Sequence, residues 1–237
     1  MKKAFLFLAL ASIALSSCRT DQPVVEPEVI IETQNSYDDQ AALNFLQTHY
    51  LDIKGNIKNY VATDTINKKL ADLIPAPVTL PSGVIYIKRQ GAQPDPGKTI
   101  GATDIIRLMS VTNSYIAVNA DGKSSFVSGY PLRNTVNGTG VPEVDPTYFH
   151  VKDETLANAT TPEAKQRSYY EIEGFGEALQ LFKSFDIPDE TNYNLQGVII
   201  VPSRAAFARD PYFSYSNISL RNRSFVFNFQ VYKTTAR

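Results

Sequence analysis

Cysteine is almost absent from this 237-residue chain: Cys18 is the only one. A lone thiol excludes an intrachain disulfide. Histidine is nearly as scarce. His49 and His150 stand far apart, neither belongs to a spaced ligand set, and without further thiols the sequence offers no transition-metal site. Both read as surface or packing residues. An excess of one charge is lacking as well, with 23 basic against 24 acidic residues. That balance argues against a nucleic-acid surface or a basic membrane patch, and against a partner chosen by bulk charge. There is no Gly-Xaa-Ser-Xaa-Gly element, which leaves a nucleophile-elbow hydrolase without support. Gly138-Thr139-Gly140 and Gly174-Phe175-Gly176 do not follow a strand and open a helix as a dinucleotide loop does. The acidic clusters at Glu143 to Asp145, Asp153-Glu154 and Asp189-Glu190 read as solvated loop carboxylates rather than hard-cation ligands. No internal repeat is visible.

What is present begins with the setting of Cys18. It follows Met-Lys-Lys, an apolar run from Ala4 to Leu15, and Ser16-Ser17. A basic start, a short apolar stretch and small residues before the cut describe a secretory signal, and ending on cysteine is similar to the lipoprotein kind. Residues 1–17 are therefore expected to be removed and Cys18 to be lipidated, which leaves the mature chain without a free thiol. Each buried methylene of an attached acyl chain contributes about 0.8 kcal/mol, so more than one chain anchors stably. After residue 18 no stretch approaches the roughly 18 apolar residues of a membrane span, so the expected body is a soluble, exported one. Residues 18–35 carry Pro23, Pro27 and several carboxylates and read as a tether. They lack a dense acidic cluster, and the expected location is the cell envelope, at the periplasmic face of the outer membrane.

Residues 36–78 read as an N-terminal helical segment. Ser36 or Asp38 is placed to cap a helix in which Ala41, Ala42, Phe45, Leu46 and Tyr50 recur at helical spacing, and a second short helix is expected from Ile66 to Leu73, stopped by Pro75. After Pro81 the pattern turns to strands: Val84 to Lys88, Ile105 to Val111, Tyr115 to Val118, Val198 to Val201 and Ser224 to Tyr232. In the last of these Phe225, Phe227, Phe229 and Val231 share one face, expected to meet a core, while Asn228 and Gln230 share the other, expected to meet water. Between the strands Phe175, Ala178, Leu179 and Phe182 make the apolar stripe of one helix whose wet side holds Glu177, Gln180 and Lys183. The segment 131–167 is rich in Pro, Gly, Asn and Thr and reads as an irregular insertion. The expected fold class is α+β, an antiparallel sheet with one helix laid across it.

Three runs carry a family likeness: Ile172-Glu173-Gly174-Phe175-Gly176-Glu177-Ala178-Leu179, Val201-Pro202-Ser203-Arg204-Ala205-Ala206-Phe207-Ala208 and Ser224-Phe225-Val226-Phe227-Asn228-Phe229. In order and spacing they resemble FKBP-type peptidyl-prolyl cis-trans isomerases, in particular the lipoprotein branch of that family in Bacteroidetes. Ser82-Gly83-Val84-Ile85-Tyr86 and Asp121-Gly122-Lys123-Ser124-Ser125-Phe126 look like the family's first strand and its Asp-Gly-x-x-Phe-Asp stretch. The likeness covers about residues 79–237, so it implies an FKBP-like curved antiparallel sheet there, with the insertion inside it.

The resemblance implies a cup of Phe126, Ile172, Phe175, Phe207, Ile218 and Phe227, with Phe175 at the floor. It implies proline-containing segments of exported proteins as substrates, and neither cofactor nor metal. Rotation about an X-Pro bond is slow because amide resonance must break, a barrier of about 20 kcal/mol. A dry aromatic cup favours the twisted, less polar amide without any nucleophile. Two positions depart from the pattern. Phe207 stands where the family has a hydroxyl-bearing Tyr that donates to the substrate, and Val127 where it has an Asp; near Ser110, where a Tyr is usual, the correspondence is open. The alternative to an isomerase is therefore a catalytically degenerate FKBP-like binding or scaffold lipoprotein. Tyr212 and Phe213 are candidates for a loop over the cleft.

Overall fold

In the computed structural model the described residues are 28–237; the expected signal peptide, Cys18 and the expected tether up to residue 27 lie outside them. Helix α1 (Ile31–Thr48) opens the unit formed by residues 31–237. It starts earlier than its sequence signals suggest, so residues 31–35 of the expected tether are helical instead. Ser36 and Asp38 are interior residues rather than caps, and Gln34, Asp38, Ala41, Ala42, Phe45 and Leu46 form its buried stripe. Tyr50 falls beyond the helix, in the hairpin of β1 (His49–Leu51) and β2 (Ile57–Asn59). The second expected helix shrinks to a single 3-10 turn at Leu70–Asp72. Its start is diverted because the Asp64 carboxylate accepts the backbone N–H groups of Ile66 and Asn67, each at 2.9 Å, which closes a local turn instead.

The sheet is built from β3 (Val78–Thr79), β4 (Ile85–Lys88), β6 (Ile105–Ala120), β7 (Lys123–Asn134), β8 (Glu143–Val144), β10 (Gly197–Val201) and β11 (Arg223–Thr235), while β5 (Lys98–Thr99) pairs with β9 (Lys183–Ser184) apart from it. Its order is β3-β4-β10-β11-β6-β7, with β8 on β6, and every pairing is antiparallel. The two runs expected at 105–111 and 115–118 are one strand. At its end Asp121 and Gly122, both at positive φ (51° and 77°), make the tight turn into β7, a conformation that an Asp-Gly pair tolerates well. Strand β7 takes the first four residues of the expected insertion. The remainder, up to α3 (Glu173–Leu179), holds β8, the short helix α2 (Asp153–Ala157) and irregular chain.

Both faces of the sheet are covered. Helix α3 lies on one face, where Phe175, Ala178 and Leu179 meet Ile199, Val201, Phe225, Phe227 and Phe229. Helix α1 lies on the other, where Ala42, Phe45 and Leu46 meet Ile85, Ile87, Val198, Ile200 and Val226. The α+β arrangement with a helix across an antiparallel sheet is thus present, and the helical N-terminal segment is part of the same body. One expectation is corrected: Asn228 and Gln230 are each 3% exposed and do not meet water. The Asn228 amide donates to the carbonyls of Gly55 (2.9 Å) and Gly197 (3.3 Å) and accepts from the Ile57 N–H (3.3 Å), so it ties the β1–β2 hairpin to the sheet. Among the described residues no helix is long and apolar enough to cross a membrane.

Candidate functional site

The helix α3 begins against the sheet because Gly174 allows it. A Cβ there would meet Val84 Cγ2 at 2.7 Å, Val201 Cγ1 at 2.8 Å and Ala205 Cβ at 3.0 Å. That close approach lays Phe175 flat on Phe227, ring centroids 4.0 Å apart and planes 18° from parallel. Strand β11 places Phe227 directly between Ile199 of β10 and Thr112 of β6, and puts Phe229 edge-on to Phe175 at 6.2 Å. Phe207 arrives from the turn after Pro202 and meets Phe225 edge-on at 6.1 Å. Ile172, in extended conformation just before α3, and Ile218, half-buried, belong to the same cluster.

Five of the six predicted cup residues therefore come together from separate chain segments: Ile172, Phe175, Phe207, Ile218 and Phe227. Phe126 does not join them. It pairs with Ala117 on the face covered by α1, 6.0 Å from the Phe45 ring and 5.4 Å from the Tyr115 ring. Val127 is 37% exposed. Cys18 lies outside the described residues.

No water-filled mouth opens at these rings: Phe175 and Phe227 are 0% exposed and Phe207 is 2%. The space between them and the insertion is filled by Tyr148, itself 0% exposed, whose ring centroid is 5.9 Å from Phe175 and 6.0 Å from Phe227. Its hydroxyl donates to Glu143 Oε2 at 2.8 Å, and its carbonyl accepts the Ile172 N–H at 2.8 Å. Glu143 is paired with Arg133 at 3.2 Å, and the Arg133 guanidinium lies 5.9 Å and 5.7 Å from the Tyr148 and Tyr215 ring centroids. Burial first, then the Glu143 carboxylate, pushes the Tyr148 phenol well above its ordinary value. Tyr215 is raised too, chiefly by burial.

A loop after Phe207 covers this arrangement. Tyr215 donates its hydroxyl to the Tyr170 carbonyl (2.7 Å), and the Phe213 N–H donates to the Tyr169 carbonyl (2.7 Å). Tyr212 packs 5.3 Å from Phe207, while Phe213 stays 42% exposed. Beneath, the hydroxyl of Thr112, which faces the same side of the sheet as Phe227, is buried without a hydrogen-bond partner among the described residues. Tyr148 and Tyr215 were not legible as site residues. The signal available for Tyr148 was the apolar island Tyr148-Phe149 in an otherwise polar insertion.

Among the described residues no three His, Cys, Asp or Glu side chains are grouped to hold a metal ion. His49 stacks on Phe45 at 3.7 Å, and His150 lies 3.4 Å from Glu171 beside Arg167. A separate hollow of about 250 Å³ on the α1 face is lined by His49, Asn113 and Tyr115 among others, away from the aromatic cluster.

No protein-family model matches the chain, nor does any curated protein. Among solved structures it is similar to a peptidyl-prolyl cis-trans isomerase from Pseudomonas syringae pv. tomato str. DC3000, with 10% identity and a TM-score of 0.42 over 88% of this chain and 98% of that one. It is also similar to FkpA from Escherichia coli, with 16% identity and a TM-score of 0.31 over 68% of this chain; it spans 52% of FkpA.

Proposed function

We propose that this chain is an exported, membrane-anchored FKBP-type peptidyl-prolyl cis-trans isomerase that assists the folding of envelope proteins. The observation that carries the reading is the convergence of Ile172, Phe175, Phe207 and Phe227, each from a sequence run that resembles the family, on one cluster that Ile218 also joins. Such a surface offers nothing that attacks a bond, and isomerisation requires nothing of the kind. An X-Pro peptide that takes the place of Tyr148 against Phe175 exchanges water for an apolar surround. There the twisted amide, which has lost resonance and polarity, gains relative to the planar ground state. The Ile172 N–H, which now donates to the Tyr148 carbonyl at 2.8 Å, is the donor best placed to hold a peptide carbonyl in its stead. The lipid on Cys18 would keep this body at the periplasmic face of the outer membrane, where newly exported chains with proline-limited steps pass.

The mature protein is expected to accelerate the proline-limited phase of a refolding substrate. Phe227→Leu, which keeps the position apolar but removes the aromatic face, is expected to abolish that acceleration beyond any loss of folded fraction. No acceleration at an excess of the folded protein over substrate removes the isomerase reading. A second reading, a non-catalytic binding or scaffold lipoprotein of the same fold, is favoured by Phe207, a phenyl ring that cannot donate a hydrogen bond. Under the first reading Phe207→Tyr raises the rate; under the second it leaves refolding unchanged.

A further inference from the structure

We infer that Tyr148, with the insertion segment 145–151 that carries it, is a built-in occupant of the prolyl cup, and that a substrate peptide binds by displacing it. This rests on the isomerase reading of the cup and adds its regulation. Tyr148 belongs neither to the sheet nor to α3. It reaches the cluster from the irregular chain between β7 and α3, and it presents what an incoming peptide presents: an apolar ring against Phe175 and Phe227 and a backbone carbonyl on the Ile172 N–H. That N–H sits just before the first turn of α3, where no intrahelical acceptor exists, so any occupant of the cup must satisfy it.

The other contacts of the ring resemble those of a held ligand more than those of a sealed core. Its hydroxyl donates to Glu143, which is paired with Arg133; these two side chains are 25% and 31% exposed, so at the hydroxyl end only this ion pair separates the buried ring from water. The cover is held by the Tyr215–Tyr170 and Phe213–Tyr169 hydrogen bonds, with the exposed Phe213 ring above them. On the floor the Thr112 hydroxyl is left unpaired, although buried polar groups are normally satisfied. Tyr148 brings no acceptor to it; a peptide, with a carbonyl every residue, can. An occupant tethered in the same chain competes at an effective concentration in the millimolar range. Only the fraction of molecules with the plug withdrawn would bind substrate, which weakens apparent affinity by that fraction.

The test uses the mature protein and its Tyr148→Ala variant, with folding confirmed by circular dichroism and a cooperative melt. Two probes are titrated: a fluorescent tetrapeptide containing a Phe-Pro step, and N-acetyl-tyrosine methylamide, which reproduces the ring, hydroxyl and carbonyl of the plug. Both are expected to bind the variant about tenfold tighter or more than wild type, to compete with each other, and to shift the Ile172 amide resonance. If the tyrosine amide gains and the prolyl peptide does not, the occupant stands and the prolyl reading of the cup fails. If neither gains, or wild type binds both as tightly as the variant, the occupant is overturned. The prolyl reading is then judged by the wild-type refolding assay alone. Should Tyr148→Ala not fold, Tyr148→Leu and Glu143→Gln, which loosen the plug without emptying the core, are read by the same titrations with a smaller gain expected and the same overturning results.

Discussion

Replacing Asp38 by alanine should destabilise the whole domain, although the residue sits on a helix that reads as a separate N-terminal segment. Asp38 is 0% exposed, and its carboxylate accepts from the Ser203 N–H at 2.8 Å, the Ser203 hydroxyl at 2.5 Å and the Gln34 amide at 2.9 Å. Ser203 opens the turn that delivers Phe207 to the aromatic cluster, so this one carboxylate couples α1 to the candidate site across the sheet edge. In the alanine variant the Gln34 amide retains the Ala117 carbonyl at 3.3 Å, and the hydroxyl can rotate, but the Ser203 N–H is left fixed and unpaired. An orphaned buried donor costs about 1–3 kcal/mol, and hydrogen bonds to a charged acceptor are worth about 1.5–3 kcal/mol each. Relief of the carboxylate's desolvation offsets part of that loss. The net expected cost is about 2–4 kcal/mol, read as a shift in the urea midpoint at constant m-value.

The same site sets a pH signature. Burial raises the Asp38 carboxyl above its ordinary value of 3.8, against the lowering effect of the hydrogen bonds from Ser203 and Gln34 and the charge of Arg204. The folded protein then holds this proton to higher pH than the unfolded chain does. The associated stability is full below 3.8 and is lost as pH rises through the folded value. Asp38→Asn, similar in shape to the protonated acid, lacks that loss, so its stability relative to wild type should improve as pH rises across the window. An alanine effect within about 0.5 kcal/mol of zero, a size ordinary for surface substitutions, would refute the coupling. An Asn-to-wild-type difference flat in pH would refute the direction of the titration.

Gly174→Ala should cost about 1–3 kcal/mol by overpacking against Val84, Val201 and Ala205, and should lower refolding activity by more than the lost folded fraction, because it lifts Phe175 off Phe227; unchanged melting would sink this. Asn228→Ala should cost about 1–3 kcal/mol and speed amide exchange selectively in the β1–β2 hairpin, which it holds through Gly55 and Ile57; uniform exchange would show that the hairpin is held by other contacts. Both histidines are kept below the ordinary 6.5 chiefly by burial, against the Phe45 carbonyl and Asn59 at His49 and against the Glu171 carboxylate at His150. Their neutral forms therefore contribute stability that is full above 6.5 and lost as pH falls through the folded values. In the Asp38→Asn background, which removes the carboxyl's opposite slope, His49→Gln with His150→Gln should flatten stability across that range, and an unchanged slope would count against the burial argument.

The strands were legible where one residue in two is a large apolar group, because that alternation is a local property: Phe225, Phe227, Phe229 and Val231 face α3 as the pattern suggests. What local pattern cannot reveal is what lies above the opposite face. Asn228 and Gln230 read as solvent-facing by chemistry, yet α1 and the β1–β2 hairpin cover that side, and the amides are kept there by pairing with main chain. The misplacement of Phe126 has the same root. The resemblance placed it by a short run after the Asp-Gly turn, but a strand residue belongs to whichever face the register assigns it, and the register of β7 against β6 shifts between Ser114 and Ile116.

The candidate site was half legible for a related reason. Phe175 and Phe227 sit in elements of regular spacing, and Ile172 and Phe207 within short runs that resemble the family, so the run around each is enough to place it. Tyr148 sits where spacing carries no information, and the average polarity of 131–167 conceals that Tyr148, Phe149, Val151 and the nearby Tyr170 are buried. An irregular segment that buries so many apolar groups is not a passive surface loop, since its backbone polar groups must be satisfied one at a time. Here they are satisfied individually, by Ile172 for Tyr148, by Glu171 for Val151 and by Tyr215 for Tyr170. Each of those partners belongs to the run leading into α3 or to the covering loop, so if substrate displaces Tyr148 as inferred above, moving the segment and opening the cup are a single event. A ligand that favours the open state must therefore offset the burial of the segment as a whole, not of one ring.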